Sequence, residues 1–127
     1  MSLLVDMKSL ITAVNANIFL GDLPDTPDNC IALYQSGGQD AVHSLGAGVD
    51  ETHETPTFQV RIRNTSYATA NTQAESVKDI LDGLVNQTIN SNLYISIFMQ
   101  GDINSLGRDD RNRINLTVNF VAKVKRN

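Results

Sequence analysis

Three aspartates in the carboxyl-terminal quarter of the sequence, Asp102, Asp109 and Asp110, are the residues whose type and spacing most directly suggest chemistry. Carboxylates that converge on two metal ions about 3.5–4 Å apart support many phosphoryl-transfer reactions. Adjacent aspartates in a loop rarely converge unaided, and nearby arginines would compete with a cation for them: Arg108, Arg111 and Arg113. The pattern therefore favours a salt-bridged loop or a contact between subunits. A small metal-dependent phosphoryl-transfer or nucleotide-handling enzyme is the alternative.

The histidines and glycines do not form a recognisable site. His43 and His53 are ten residues apart among acidic residues, whereas zinc ligands and catalytic pairs on one element are usually spaced more closely. The glycines between residues 37 and 48 lack the lysine and the following helix of a phosphate-binding loop. We therefore predict no catalytic residue, no metal ligand and no cofactor.

Length and composition limit the class of protein. We expect a single domain over residues 1–127, because this length is typical of one domain. Cys30 is alone and cannot form an internal disulfide, which indicates a reducing compartment. No apolar run approaches the roughly 18 residues that a membrane helix requires, and the first residues do not resemble a secretory signal. We therefore expect no membrane association.

Charge is distributed unevenly along the chain. The net charge is −4, with −7 over residues 1–55 and +3 over residues 56–127. An acidic protein is a poor candidate for tight nucleic-acid binding, which depends on neutralising phosphates. A separation of opposite charges is compatible with head-to-tail contact between copies and equally with a solvated surface.

Hydrophobic periodicity predicts the elements that must position these residues. Helical spacing occurs over residues 3–15 and from Ala70 to Val85, and strands are predicted at residues 18–20, 30–35, 57–64, 93–101 and 114–125. The predicted fold is α+β, a two-layer sandwich with a mainly antiparallel sheet of four to five strands and two helices on one face. Residues 36–56 are predicted to be a long flexible loop. The two final strands form a hairpin, and SLGRDDRNR is its connection.

The alternation of side chains also predicts a second, partly apolar face of the sheet. Tyr94, Phe98 and Val121 fall opposite the core positions, and so do four basic residues: Arg61, Arg63, Lys123 and Lys125. Aromatic residues and arginine are enriched at protein interfaces, which favours a docking face for another subunit. A simple solvated face is the alternative, and residue types alone do not decide between them.

Two stretches of the sequence resemble a known family. FQVRIRNTSYATANTQAESVKDILDGL joins a strand with alternating arginines to a helix that begins near SYATA, within residues 58–84. MQGDINSLGRDDRNRINLTVNF, within residues 98–120, adds a Gly-Arg-Asp-Asp loop and a final strand. With the element order over residues 1–127, these stretches resemble the minor-capsid or tail-completion proteins, the tail terminators, of tailed bacteriophages and prophages.

The resemblance implies a structural, non-enzymatic role. Family members share an α+β fold and assemble as a ring, commonly a hexamer, at the head-proximal end of the tail. We therefore expect a virion protein of the head–tail junction, present in the host cytoplasm before assembly. Its expected partners are further copies of itself, the major tail tube protein and a head-closure or connector protein. DNA would pass through the lumen without specific binding.

If copies form such a ring, one surface patch contacts a different patch on the next copy. The predicted contact residues on one side are basic and aromatic: Arg61, Arg63, Tyr94, Phe98, Arg108, Arg111 and Arg113. Those on the other side are acidic: Asp40, Asp50, Glu51 and Glu54. Asp109 and Asp110, in the loop before the last strand, are also predicted contact residues. A monomeric ligand-binding domain of the same fold class is a third possibility.

Overall fold

The computed structural model describes residues 3–42 and 53–125, with side chains described outside residues 38–42 and residue 53. Within these ranges the chain forms two helices and six strands, in the order α1 Leu3–Ile11, β1 Ile18–Leu20, β2 Cys30–Val42, β3 His53–Asn64, α2 Tyr67–Leu81, β4 Leu84–Ile89, β5 Asn92–Arg108 and β6 Ile114–Lys125. None of the helices in these ranges is long and apolar enough to span a membrane.

The strands form one six-stranded sheet in the order β1-β2-β3-β6-β5-β4. β1 is parallel to β2, the other pairs are antiparallel, and the sheet curls into a half-barrel. The prediction of a two-layer sandwich with a mainly antiparallel sheet of four to five strands is therefore wrong, because the sheet has six strands, is mixed and is curled. Long paired strands twist, and this twist accumulates across six strands into curvature.

The sixth strand, β4, lies where the sequence predicted the end of a helix. α2 ends at Leu81, and Gly83 follows with φ of 82°, a conformation that glycine adopts without steric cost. Leu84 and Val85 then pair with Ile97 and Ser96 of β5. The apolar stripe of α2 continues into β4 by coincidence of spacing, so periodicity alone extended the helix too far.

Two predicted connections are shorter than expected. β2 continues to Val42 and β3 begins at His53, so residues 36–42 and 53–56 form strands instead of the predicted loop. Residues 43–52 are outside the described ranges. β5 likewise continues to Arg108, which leaves residues 109–113 as the connection to β6. Register shifts interrupt both extensions, and such irregularities conceal a strand from pattern analysis.

The hydrophobic core lies between the sheet and both helices. Met7 and Ile11 of α1 and Ala74 and Val77 of α2 belong to the same buried cluster as the alternate residues of the central strands, among them Val60, Ile62, Leu116 and Val118. Phe58 and Phe120 stack across β3 and β6 with their ring centroids 5.2 Å apart. Because both helices pack on this face, the opposite face of the sheet has no helix over it. We call that surface the outer face.

A bulge in β5 places Tyr94 in the core, where it contacts Asp6 of α1. The pairing shifts between Tyr94 and Ser96, so Tyr94 and Ile97 both face inward, and Tyr94 is completely buried. Its hydroxyl donates to Oδ2 of Asp6 at 2.5 Å, and amides of the β4–β5 turn donate to the same carboxylate: Asn90 and Asn92. The prediction that Tyr94 lies on the outer face is therefore wrong.

Candidate functional site

The outer face of the sheet carries most of the residues predicted to make contacts. Successive rows of side chains cross β5, β6 and β3 in register: Phe98–Val121–Thr57, Gln100–Asn119–Gln59, Asn104–Thr117–Arg61 and Gly107–Asn115–Arg63. The rows differ in what covers them. The row of Arg63 is covered by a loop, and the row of Phe98 is open.

Arg63 attaches the loop of residues 21–29 to the sheet. Its guanidinium donates to the carbonyl oxygens of three loop residues, at 3.1 Å from Asp28, 2.5 Å from Pro24 and 2.7 Å from Pro27. Only 3% of Arg63 is exposed. The arginine is therefore part of the fold, and its predicted contact with another subunit stays a prediction.

Arg113 attaches the same loop from β6. It is 4% exposed and forms ion pairs with Asp25 at 3.2 Å, Asp28 at 3.3 Å and Asp109 at 2.8 Å. It also donates to the backbone carbonyl of Asp25 at 2.7 Å. Although burial acts to lower the pKa of the Arg113 guanidinium, the bonds to Asp109 and Asp25 raise it. Arg113 thus also attaches the loop to the sheet, and its predicted contact with another subunit stays a prediction.

Asp109 organises the turn between β5 and β6. Its Oδ1 accepts from the backbone N–H groups of Arg111 and Arg113 at 3.0 Å each, and its Oδ2 accepts from Nε of Arg113 at 2.8 Å. The backbone N–H of Arg113, assisted by the Arg113 side chain, lowers the pKa of the Asp109 carboxyl. Aspartate commonly stabilises turns in this way.

The other two aspartates of the proposed metal cluster occupy different surroundings. Asp102 is exposed on β5, where its Oδ1 accepts from the N–H of Ile103, and Asp110 is exposed in the turn. Within residues 3–42 and 53–125, no three acidic, histidine or cysteine side chains are grouped as metal ligands. The carboxylate oxygens of Asp109 already bind two backbone donors and an arginine, so the geometry favours a structural role for this residue.

An open cleft lies on the outer face beside the fastened loop. Its volume is about 290 Å³, and its lining combines basic, acidic, polar and apolar residues: Leu23, Arg61, Leu106, Gly107, Arg108, Asp109 and Asn115. Leu106 is 51% exposed at its edge. Sequence analysis proposed Arg61, Arg108 and Asp109 as contact residues but missed the two leucines. Leu106 was missed because this part of β5 was read as a connection.

Arg61 and Arg108 supply the positive charge of this cleft. The guanidinium of Arg61 lies over the ring of Tyr34, 5.6 Å from its centroid, and its Nε is buried without a hydrogen-bond partner. Arg108 is exposed, and its Nη1 donates to the carbonyl oxygen of Asn112 at 2.9 Å. Burial raises the pKa of the Tyr34 hydroxyl, although Arg61 opposes this change.

The far end of the outer face is apolar and uncovered. Phe98 is 47% exposed and lies opposite half-buried Val121. Val85 of β4, also exposed, lies in the adjacent row beside Ser96. Exposed apolar residues grouped on one surface are typical of docking surfaces. The structure therefore places Phe98 where the sequence predicted it.

The remaining predicted contact residues are scattered. Arg111 is exposed and forms an ion pair with Asp25 at 2.6 Å. Glu54 is half-buried on β3, and it has an interaction of its own within the chain. Asp50 and Glu51 lie outside the described residues, and for Asp40 the side chain is not described. Of the predicted contact residues, the structure therefore brings together Arg61, Arg108 and Asp109. It does not show any of the predicted acidic contact residues of the first half of the chain beside these arginines.

Comparison with known proteins identifies relatives of the whole chain. The sequence matches the model of a family described as "Bacteriophage tail terminator protein" over residues 2–126. No curated protein matches the sequence.

Two solved structures are similar in fold. One is described as "Virion of native gene transfer agent (GTA) particle"; it is 14% identical, with a TM-score of 0.68, and the match covers 98% of this chain and 95% of that chain. A second structure, which bears no functional description, is 12% identical, with a TM-score of 0.57 and coverage of 94% and 91%. At these identities the likeness shows that the fold is shared.

Proposed function

This chain belongs to the bacteriophage tail terminator family and is a structural protein of the phage tail, and from this premise we propose that its copies form a ring, most simply a hexamer, that caps the tail tube. The ring ends tube growth and joins the tube to the head connector. Its partners are the major tail tube protein on one side and a head-closure protein on the other. Its place is the head–tail junction of the virion, after synthesis in the host cytoplasm.

The uncovered outer face is the observation that carries this proposal. A small domain that works alone has little reason to leave Phe98 and Leu106 about half exposed on one side of its sheet. Arg61 and Arg108 line the cleft beside Leu106 and add charge that fixes orientation. A face that combines exposed apolar side chains with a basic cleft suits contact between protein subunits.

The charge of the chain is suited to the passage of DNA through such a ring. With a net charge of −4, the protein as a whole repels phosphates, so DNA can move through the lumen without being held. Tight binding to duplex DNA at physiological salt would contradict this part of the proposal.

Electron microscopy of tail tubes tests the capping role. Tubes assembled from the major tail tube protein are incubated with gold-labelled protein, and the position of the label is recorded. We expect gold at one end of each tube and an arrest of growth after its addition. Label along the sides of the tube, or continued growth at the labelled end, would exclude capping.

A further inference from the structure

We propose that the cleft formed by Arg61 and Arg108 binds a carboxylate of a second copy of this chain, supplied by the exposed acidic pair Glu75 and Asp79 of α2. This inference rests on the ring proposed above and names one of its contacts. The ligand of the cleft would be the side chain of an aspartate or glutamate of a protein. The binding partner of α2 would be the cleft of the neighbouring copy.

The state of Arg61 is the first argument that the cleft has a ligand. Buried nitrogen atoms nearly always have a hydrogen-bond partner, so each exception requires an explanation. Nε of Arg61 is buried without one, and no carboxylate of the described residues forms an ion pair with this guanidinium. Tyr34 holds the guanidinium in place from one side. The group is therefore positioned for a partner that the described residues do not supply.

The lining of the cleft favours a carboxylate. Arginine binds carboxylates through two parallel N–H···O bonds, and the open cleft gives a carboxylate access to the Arg61 side chain. Leu23 and Leu106 give the cleft apolar walls that suit the methylene groups of an acidic side chain. Asp109 also contributes to the wall, and its negative charge disfavours a doubly charged phosphate more than a singly charged carboxylate.

The position of α2 identifies the second copy as the source. Glu75 and Asp79 are both exposed, and at spacing i and i+4 they lie on the same side of the helix. Tyr67, in the first turn of α2, is 51% exposed and adds an aromatic surface. α2 packs on the face of the sheet opposite to the cleft. One copy therefore presents acids on one face and arginines on the other, an arrangement that permits head-to-tail contacts closing into a ring.

Charge exchange between the two faces tests the inference. Self-association is measured by sedimentation velocity over a concentration series, for the protein alone and with tail tubes. Arg61→Glu and the pair Glu75→Lys with Asp79→Lys are each expected to weaken association about tenfold or more. The variant that combines all three changes is expected to return to within about threefold of the wild type.

Matched controls separate this contact from general charge effects. Lys8→Glu makes the same change of sign as Arg61→Glu at a half-buried position of α1, outside both the outer face and α2. It is expected to change association less than about threefold. The α2 substitutions lie on exposed positions, so they test the contact even if Arg61→Glu destabilises the fold.

Each other outcome overturns the inference in a distinct way. If rings form and the α2 reversals leave them intact, the inference fails and the proposed function stands. If wild-type copies form no ring, alone or on tubes, both fail. If inorganic phosphate binds the cleft, detected by the NMR signal of the Arg61 Nε–H, and the α2 reversals do not alter association, then the cleft is an anion site of another kind.

Discussion

Arg61 and Arg63 lie two residues apart on β3 and point to the same side of the sheet, yet they differ in burial and in hydrogen bonding. Arg63 is buried under a loop and donates to three carbonyl oxygens. Arg61 lines an open cleft, and its Nε has no partner. The same residue type thus stabilises the fold at position 63 and lines an open cleft at position 61.

The neighbouring loop causes this difference. Backbone carbonyls of residues 21–29, with Asp25 and Asp28, provide acceptors for Arg63 and Arg113, whereas Leu23 of the same loop lines the cleft of Arg61. Among the described residues, none of these acceptors bonds to Nε of Arg61. One end of the outer face therefore stabilises the fold, and we propose the other end for contact between subunits.

Removing the charge of Arg63 is expected to have the largest effect on stability. Arg63→Met leaves three carbonyl oxygens of the loop without their charged donor, so the free energy of unfolding should fall by about 3 kcal/mol. Urea denaturation measures the loss. An unchanged midpoint would show that the loop does not depend on this arginine and would remove the contrast with Arg61.

Tyr94→Phe is expected to have the next largest effect. The change removes the hydroxyl that donates to buried Asp6, and the free energy of unfolding should fall by about 2 kcal/mol. Phe98 on the same strand is the matched control, because Phe98→Ser alters an exposed side chain and should leave the unfolding midpoint nearly unchanged. Equal losses from the two variants would contradict the assignment of Tyr94 to the core and Phe98 to the surface.

The same tyrosine predicts a dependence on alkaline pH. Burial and the bond to Asp6 raise the pKa of Tyr94 above its ordinary value of 10.0. Its contribution to stability is therefore complete below pH 10.0 and is lost as the pH rises further towards the raised pKa. The difference in unfolding free energy between wild type and Tyr94→Phe should shrink in that range, and a constant difference would argue against a buried hydroxyl.

Asp109 predicts a smaller dependence on acidic pH. Hydrogen bonds lower the pKa of its carboxyl in the folded chain, so its contribution is complete above the ordinary value of 3.8 and is lost as the pH falls through the lowered pKa. Asp109→Asn should therefore be less stable than the wild type at neutral pH, and the gap should close in acid. Urea titrations at several pH values measure it, and a gap that widens in acid would refute the turn role.

Arg61→Met is expected to have the smallest effect on the fold. No described residue bonds to Nε of Arg61, so removing this atom breaks no hydrogen bond there, and the unfolding free energy should stay within about 0.5 kcal/mol of the wild type. The loss of unfolding free energy in Arg61→Met should be compared with the loss in Arg63→Met, measured by urea denaturation under the same conditions. A loss as large as that of Arg63→Met would show that Arg61 also fastens the fold.

The sequence predicted the parts of this structure that obey a simple period. Val60 and Ile62 of β3 and the alternating residues of β6 face the core as predicted, because side chains of paired strands alternate. Tyr94 was predicted on the wrong face because a bulge in β5 shifts the alternation by one residue. No residue type in this part of the sequence indicates the bulge.

The site itself was only partly predictable. Arg61 and Arg63 are equivalent in the alternating pattern, and the loop that separates their roles is brought over Arg63 by long-range hydrogen bonds. Leu23 and Leu106 enter the cleft only through the tertiary fold. Residue types and spacing therefore predicted that Arg61 and Phe98 lie on the outer face, but not which of its arginines are accessible. That this face contacts another subunit stays a prediction.

Tail length in particles produced without this protein tests the central claim most directly. Deleting its coding sequence and imaging the products by electron microscopy should reveal tail tubes of irregular length that lack heads, and supplying the wild-type chain should restore uniform, head-bearing tails. Tails of normal length attached to heads in its absence would contradict the assignment of this chain as the protein that caps the tube.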